Sequence, residues 1–248
     1  MSDISLIFDK NLRKEIIARR TIKSIIKGYL WKSKVNIVLY SLIFIIVCVF
    51  IVAALLQDKG TFTITTPRDD MIVYGLKLSD EPAFDKPRGE LIASPVKNMW
   101  NITETDIAKN IDHIDGEHNG ENYLAYTFYV KNEGDATVKY DTVVDISEMH
   151  LAVDEAMRVK IYVNGTPTVY AKPQKIDRDK PEPGTVAFVA QSRIIRLPSR
   201  DIAVGEKNKY TVVVWLEGED PDCVNSILGG SVKMVMRFDA LARSKKLV

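Results

Sequence analysis

A mainly β chain, folded as an antiparallel β-sandwich or jelly roll behind one transmembrane helix and a basic amphipathic N-terminal helix, is what these 248 residues predict. Three observations carry that reading. Val35 to Leu56 is a run of 22 residues without a charge. Beyond about residue 120, apolar residues alternate at period two. Gly, Asn and Pro punctuate those runs at short intervals, and no long amphipathic helix separates them. The composition, 46% hydrophobic and 27% charged, is globular rather than disordered.

Residues 1–34 carry nine Lys/Arg against three Asp/Glu, a charge of +6, so the near-neutral total of +1 hides a remainder at −5. Within "KEIIARRTIKSIIKGYLWKSK", Ile22, Ile25, Ile26, Tyr29 and Leu30 recur at the spacing of one helical face. Arg19, Arg20, Lys23 and Lys27 fall off that face. Such a helix lies on the inner leaflet, where each basic residue near anionic lipid contributes about 1 kcal/mol. Docking of a cytoplasmic partner uses the same pattern. Thirty-four residues are too few for a catalytic domain. The lipid bilayer already accounts for the basic charge, so no nucleic acid is expected as a partner.

As a helix, Val35 to Leu56 is about 33 Å long, against a hydrocarbon core of about 30 Å. Asn36, Tyr40 and Ser41 cluster near its start, and no polar stripe marks it as a buried core helix. Nine basic residues precede it, whereas Lys59 and Arg68 are the only two in the next fifteen positions. The positive-inside rule then places the N-terminus in the cytoplasm and the larger part outside a plasma membrane, crossed once. A cleaved signal peptide competes, with small residues at Val52-Ala53-Ala54. The long leading segment and long apolar run favour a retained anchor. The expected division is 1–34 cytoplasmic, 35–56 transmembrane and 57–248 extracytoplasmic β-sandwich. Cys48 lies in the span and Cys223 far beyond it, so no bridge joins them and the external domain stands on its core. The lack of a disulfide framework suits a bacterial surface.

In "YLAYTFYVKNEGDATVKYDTVVDI", Leu124, Tyr126, Phe128 and Val130 alternate with Ala125, Thr127, Tyr129 and Lys131. "NEGD", Asn132 to Asp135, turns the chain before Val138, Tyr140, Val144 and Ile146, which predicts a β-hairpin. "MRVKIYVNGTPTVYAK" predicts a second, turning at Asn164-Gly165 between Val159, Ile161, Val163 and Val169, Tyr170. Later strands are marked by Tyr210, Val212, Val214 and Leu216, and by Val232, Met234, Met236 and Phe238. "DISEMHLAVDEAM" is expected to hold one short helix, "KPQKIDRDKPEPGT" to be a solvated loop, and "SDEPAFDKPRGE" a loop or stalk.

The chain lacks HExxH, GxSxG, a Walker A loop, GxGxxG after a strand and CxxC. No catalytic, cofactor-binding or metal residue is therefore assigned, and no cofactor is expected. Two acidic clusters invite a metal reading. "DHIDGEHNGEN" gathers Asp112, His113, Asp115, Glu117, His118 and Glu121, oxygen and imidazole donors that suit calcium or a transition metal. Its glycine is out of place for an EF-hand, and it reads as a polar loop feeding the strand at Tyr123. "WLEGEDPDC" sets Glu217, Glu219, Asp220, Pro221 and Asp222 beside Cys223. It reads as the corner where a core strand leaves its sheet, with a metal or ligand loop as the competing reading. Cys223 is either a buried free thiol or a link between two copies.

"DGEHNGENYLAYTFYVKNEGD", "VDEAMRVKIYVNG" and "WLEGEDPDC…LGG", spread over about residues 110–239, resemble a group of single-pass surface proteins of Firmicutes with a β-sandwich ectodomain. The resemblance implies a Gram-positive surface and brings no reaction with it. The chain is more weakly similar to the TasA/camelysin family, secreted β-sandwich proteins that build matrix fibres and include a metalloprotease. It shows no recognisable zinc site, and its retained span departs from the cleaved signal of that family. The expectation is a membrane-anchored extracytoplasmic binding or structural module without enzymatic activity, with a protein partner or self-association through the ectodomain. The alternatives are a metal-dependent surface hydrolase built on the acidic loops, and a component of an envelope division or secretion assembly docked through the basic helix.

Overall fold

The computed structural model describes residues 19–24, 34–52 and 62–244. The chain divides into two compact units, Met1–Asp58 and Lys59–Val248. In the first, residues 19–24 are helical, and helix α1 (Lys34–Val52) runs for 19 residues with none of its length buried. At 1.5 Å per residue α1 spans about 28 Å, long and apolar enough to cross a membrane. Ser41 donates its hydroxyl to the Val38 carbonyl at 2.8 Å, so the apolar helix presents no idle donor there. Ile25, Ile26, Tyr29 and Leu30 of the expected amphipathic face, and residues 53–56 of the expected span, lie outside the described residues.

The second unit is mainly β. In chain order its elements are β1 (Phe62–Thr65), α2 (Arg68–Tyr74), β2 (Leu76–Ser79), β3 (Glu90–Ala93), β4 (Gly116–Glu117), β5 (Tyr123–Asn132), β6 (Thr137–His150), β7 (Met157–Val163), β8 (Thr166–Ala171), β9 (Val186–Ala187), β10 (Arg193–Ile202), β11 (Lys207–Leu216) and β12 (Ser231–Ser244). One sheet has the order β10-β6-β12-β1-β3. The other runs β2-β5-β11-β7-β8-β9, with β4 also paired to β5. Pairing is antiparallel except for β1 on β12 and β8 on β9, which are parallel. The opening strand is thus inserted between the last strand and β3.

Period-two alternation sets the inner faces, because successive side chains on a strand point to opposite sides. Tyr126, Phe128 and Val130 of β5, Val159 and Ile161 of β7, and Tyr210, Val212 and Val214 of β11 share one core with Val138, Tyr140 and Val144 of β6 and Met234, Met236 and Phe238 of β12. Phe128 meets Phe238 edge-on at 5.8 Å across the sandwich, and within its own sheet stacks on its β11 neighbour Tyr210 at 5.6 Å. The Tyr140 and Tyr210 hydroxyls lie 2.8 Å apart, and Asn208 donates to Tyr140 at 3.0 Å. Burial pushes both phenols up, so they remain neutral hydrogen-bonding groups within the core.

The other face of β5 and β11 is buried as well. The segment between β3 and β5 folds over it and packs Ile107 and Ile111 against Ala125, Val213 and Trp215. "SDEPAFDKPRGE" is likewise a folded loop rather than a stalk: Phe84 is buried beneath the Lys131 ammonium, and Arg88 pairs with Leu78. "DISEMHLAVDEAM" continues β6 as far as His150 and keeps only a three-residue 3-10 turn, Val153–Glu155.

The Asn164-Gly165 hairpin joins β7 to β8 as expected, with φ of 51° and 85° at the two turn residues. The expected hairpin at "NEGD" is not one. β5 lies in the seven-stranded sheet and β6 in the five-stranded sheet, so Asn132 to Ala136 forms an arch from one layer to the other. Asn132, fully buried, holds the arch: its amide donates to Ala136 O at 2.8 Å and Ile202 O at 2.9 Å, and its oxygen accepts from Gly134 N at 2.9 Å.

Candidate functional site

The corner after β11 is where charge and burial meet. Trp215 closes the core strand and donates its indole N–H to Glu217 Oε2 at 3.0 Å. Five residues on, the Asp220 side chain is wholly buried. Its Oδ1 accepts from Asp222 N at 2.8 Å, and its Oδ2 lies 2.7 Å from Arg158 Nη1. That contact is an ion pair without the alignment of a hydrogen bond. Arg158 reaches the corner because alternation along β7 turns it away from the core that Val159 enters. Its Nη2 is 3.7 Å from Glu182 Oε2.

Glu182 comes from the β8–β9 loop and is only 5% exposed. The same loop returns Lys175 N to Asp222 Oδ2 at 2.9 Å. Thus "KPQKIDRDKPEPGT" is exposed over most of its length, as expected of a solvated loop, and through Glu182 and Lys175 it also covers the corner. One oxygen each from Glu182, Asp220 and Asp222 lie within 4.8 Å of one another. Among the described residues this is the one set of three or more Asp, Glu, His or Cys donors so gathered.

A balanced cluster adjoins it. Asp154 and Glu155 face Lys172 Nζ at 2.6 and 2.8 Å, and Arg178 pairs with Glu155 at 2.9 Å. Burial raises the Glu155 pKa, but the bonds from Arg178 and Lys172 outweigh it and hold the group below the usual carboxylate range. Burial likewise pulls Lys172 down, and the two carboxylates more than restore it. Two negative groups meet two positive ones there. Arg158 faces two carboxylates, Glu182 and Asp220, and the carboxyl of Glu182 shows the imbalance: burial and then Asp220 push it above its ordinary value, with Arg158 opposing and Asp222 adding to the rise.

Cys223 is free and partly buried, packed beside Val153, Ala156 and Ile227. Burial and then Asp220 push its thiol up, away from the thiolate that a nucleophile requires.

The other candidate loop does not converge. Asp112 is buried and accepts from Thr211 Oγ1 at 2.7 Å, with Lys209 Nζ 3.3 Å from its second oxygen. Asp115 accepts from the Tyr129 hydroxyl at 2.6 Å. Glu117 accepts from Ser94 N and Oγ at 3.0 and 3.1 Å and from Asn119 at 2.7 Å. His118 Nδ1 lies 2.8 Å from Gly116 O, while His113 and Glu121 face solvent. Asp112 and Asp115 fasten the segment onto β11 and β5, and Glu117 ties it to Ser94, each through its own partner.

Sequence reasoning located Asp220 and Asp222 but missed Arg158 and Glu182. An arginine alternating along a strand carries the same signal as one facing water, and a glutamate between two prolines reads as loop.

No protein-family model matches the chain, and no curated protein matches it. Among solved structures it is similar to the N-terminal domain of PorA at 8% identity, over 66% of this chain and 96% of that one, with a TM-score of 0.24. A likeness that weak carries no argument about fold or function.

Proposed function

We propose that this chain is a single-pass, membrane-anchored protein that presents its β-sandwich outside the cell as a non-enzymatic binding or structural module. The observation that carries the reading is the distribution of apolar surface on the sandwich. Large apolar side chains stand in water around the β11–β12 loop: Leu151 and Leu228 flank the His150–Ser231 pairing, Ile176 follows Lys175, which bonds to Asp222, and Trp100 precedes Asn101, which lies against Gly218. Others, such as Ile72, Ile92 and Val204, stand elsewhere. Ile176 is 94% exposed and Trp100 70%. Single exposed apolar residues are ordinary, but a group of them on adjoining loops marks an interaction surface. The unburied apolar helix α1 and the excess of basic residues before it support anchoring with the sandwich outside. The raised Cys223 thiol and the separately engaged carboxylates of residues 112–117 support a role without bond-breaking chemistry.

Protease added to sealed cells is expected to remove the sandwich, and alkaline carbonate to leave the chain in the membrane. A photo-crosslinker at Trp100 or Ile176 is expected to capture a macromolecule in intact cells, whereas one at Val204, also exposed but in the β10–β11 turn, is not. Protection from protease would refute the display. Equal labelling from all three positions would refute the surface.

A further inference from the structure

We propose that Glu182 and Asp220 are the two halves of a proton-operated latch, in which one proton held between their carboxyls draws the β8–β9 loop onto the β11–β12 loop. The geometry leaves a place for that proton. Asp220 has no exposed side-chain surface, and its Oδ2, although 2.7 Å from Arg158 Nη1, receives no aligned hydrogen bond. A buried acceptor ordinarily has a donor. Glu182 is nine-tenths buried, and one of its oxygens lies within 4.8 Å of an Asp220 oxygen. Its ion pair with Arg158 is 3.7 Å long, beyond hydrogen-bonding distance. An ionised Glu182 only accepts, whereas a protonated one carries the O–H donor that Asp220 Oδ2 lacks. Closing to the 2.5–2.7 Å typical of an O–H···O⁻ bond takes a movement of at most about 2 Å. The loop follows that movement, because Pro181 and Pro183 fix φ on either side of Glu182, and Thr185 N and Oγ1 hold its carbonyl at 3.1 and 2.9 Å.

The charged groups that face Glu182 are Arg158 from β7 and Asp220 and Asp222 from the β11–β12 loop. Burial first and Asp220 second hold its carboxyl above the ordinary value, against the pull of Arg158. The other ties of the same loop answer acid differently. Lys172 and Arg178 grip Glu155, whose carboxyl is held below the ordinary range, so a pH that protonates Glu182 leaves those pairs ionised. A carboxyl raised on folding contributes stability below its unfolded pKa and loses it as pH rises through the folded one. The latch is therefore shut in mild acid and open at higher pH. The loop carries Ile176, so the latch sets the order of one part of the apolar surface described above. That consequence rests on the proposed binding role, whereas the latch itself is a property of the chain.

The test is amide hydrogen exchange over residues 172–185 in the full chain in detergent, read by mass spectrometry at about pH 5 and about pH 8 and corrected for intrinsic rates. Protection of the loop is expected to be about tenfold higher in acid, the factor that one unit of pKa represents. Glu182→Gln is expected to be protected at both values, because its amide N–H donates to Asp220 whatever the pH. Glu182→Ala is expected to be unprotected at both, while β5 and β11 exchange as in the parent chain. Should the alanine variant loosen β11 as well, the glutamine variant decides alone. Equal protection of the parent loop at the two values overturns the latch. So does a pH dependence that survives Glu182→Ala, or a Glu182→Gln loop that exchanges as fast as the parent's at the higher pH. Crosslinking from Ile176 is a separate readout: its failure removes the binding surface and leaves the latch standing.

Discussion

Arg158→Met is expected to cost the sandwich about 3–5 kcal/mol, the range for removing one partner of a buried ion pair. For a domain of ordinary stability, that is a large share of the total. The reason is local. Arg158 is the cation within 4 Å of both Asp220 and Glu182, and the hydrophobic replacement would leave Asp220 buried against a methionine. Arg158→Lys does not rescue it fully, because an ammonium is a single point of charge where the guanidinium addresses two carboxylates from two nitrogens. Chemical unfolding followed by circular dichroism of the β signal checks the size of the effect. A second substitution checks its cause. Adding Asp220→Asn to Arg158→Met is expected to recover more than about 1 kcal/mol, since much of the first loss is the stranded charge. If the two substitutions simply add, Arg158 acts through the packing of its stem and the electrostatic account of this corner fails.

Which parts of this architecture could be read in advance follows from the physics of each signal. The inner faces of β5, β7, β11 and β12 were legible residue by residue, because a pleated strand with one side in the core must alternate. Tyr126, Phe128, Val159, Ile161, Tyr210, Val212, Met236 and Phe238 all point inward. Alternation says which side is buried and says nothing about which strand lies alongside. Asn132-Glu133-Gly134-Asp135 therefore looked like a hairpin, since Gly and Asn serve equally well where a chain reverses within one sheet and where it climbs to another. The second burial of β5 was hidden for a different reason. Its cover is a polar stretch in which Ile107 and Ile111 supply the contact, too few for a periodic pattern. The corner at Asp220 was half visible. Its acidic residues sit together in the chain, so the cluster could be named, but their partner on β7 and their neighbour on the β8–β9 loop arrive only through the tertiary fold.

The arch itself makes the other large prediction. Asn132→Ala is expected to lower stability by about 2–3 kcal/mol, because it removes the buried bond to the Ile202 carbonyl, which costs about 1–3 kcal/mol when left unpaired, and the two part-buried bonds to Ala136 O and Gly134 N, which water can partly replace. The two glycines that meet there separate steric from conformational strain. A Cβ on Gly134 would lie 2.5 Å from the Tyr74 carbonyl oxygen, and one on Gly75 would lie 2.3 Å from Gly134 N. Both obstacles are backbone, which cannot rotate aside. Gly165, in the true hairpin, has a φ of 85° but only Asp112 Oδ2 near it, at 3.9 Å, so alanine there bears the left-handed conformation alone, about 1–2 kcal/mol. Thermal midpoints are thus expected to fall further for Gly134→Ala than for Gly165→Ala, although Gly134 has no positive φ. A hairpin at "NEGD" would give the opposite order, because an exposed two-strand turn has room for a methyl group. The ranking of those two alanine variants therefore tests whether β5 and β6 belong to different sheets, and with it the two-layer packing that places Tyr140 against Tyr210 and Phe238 against Phe128.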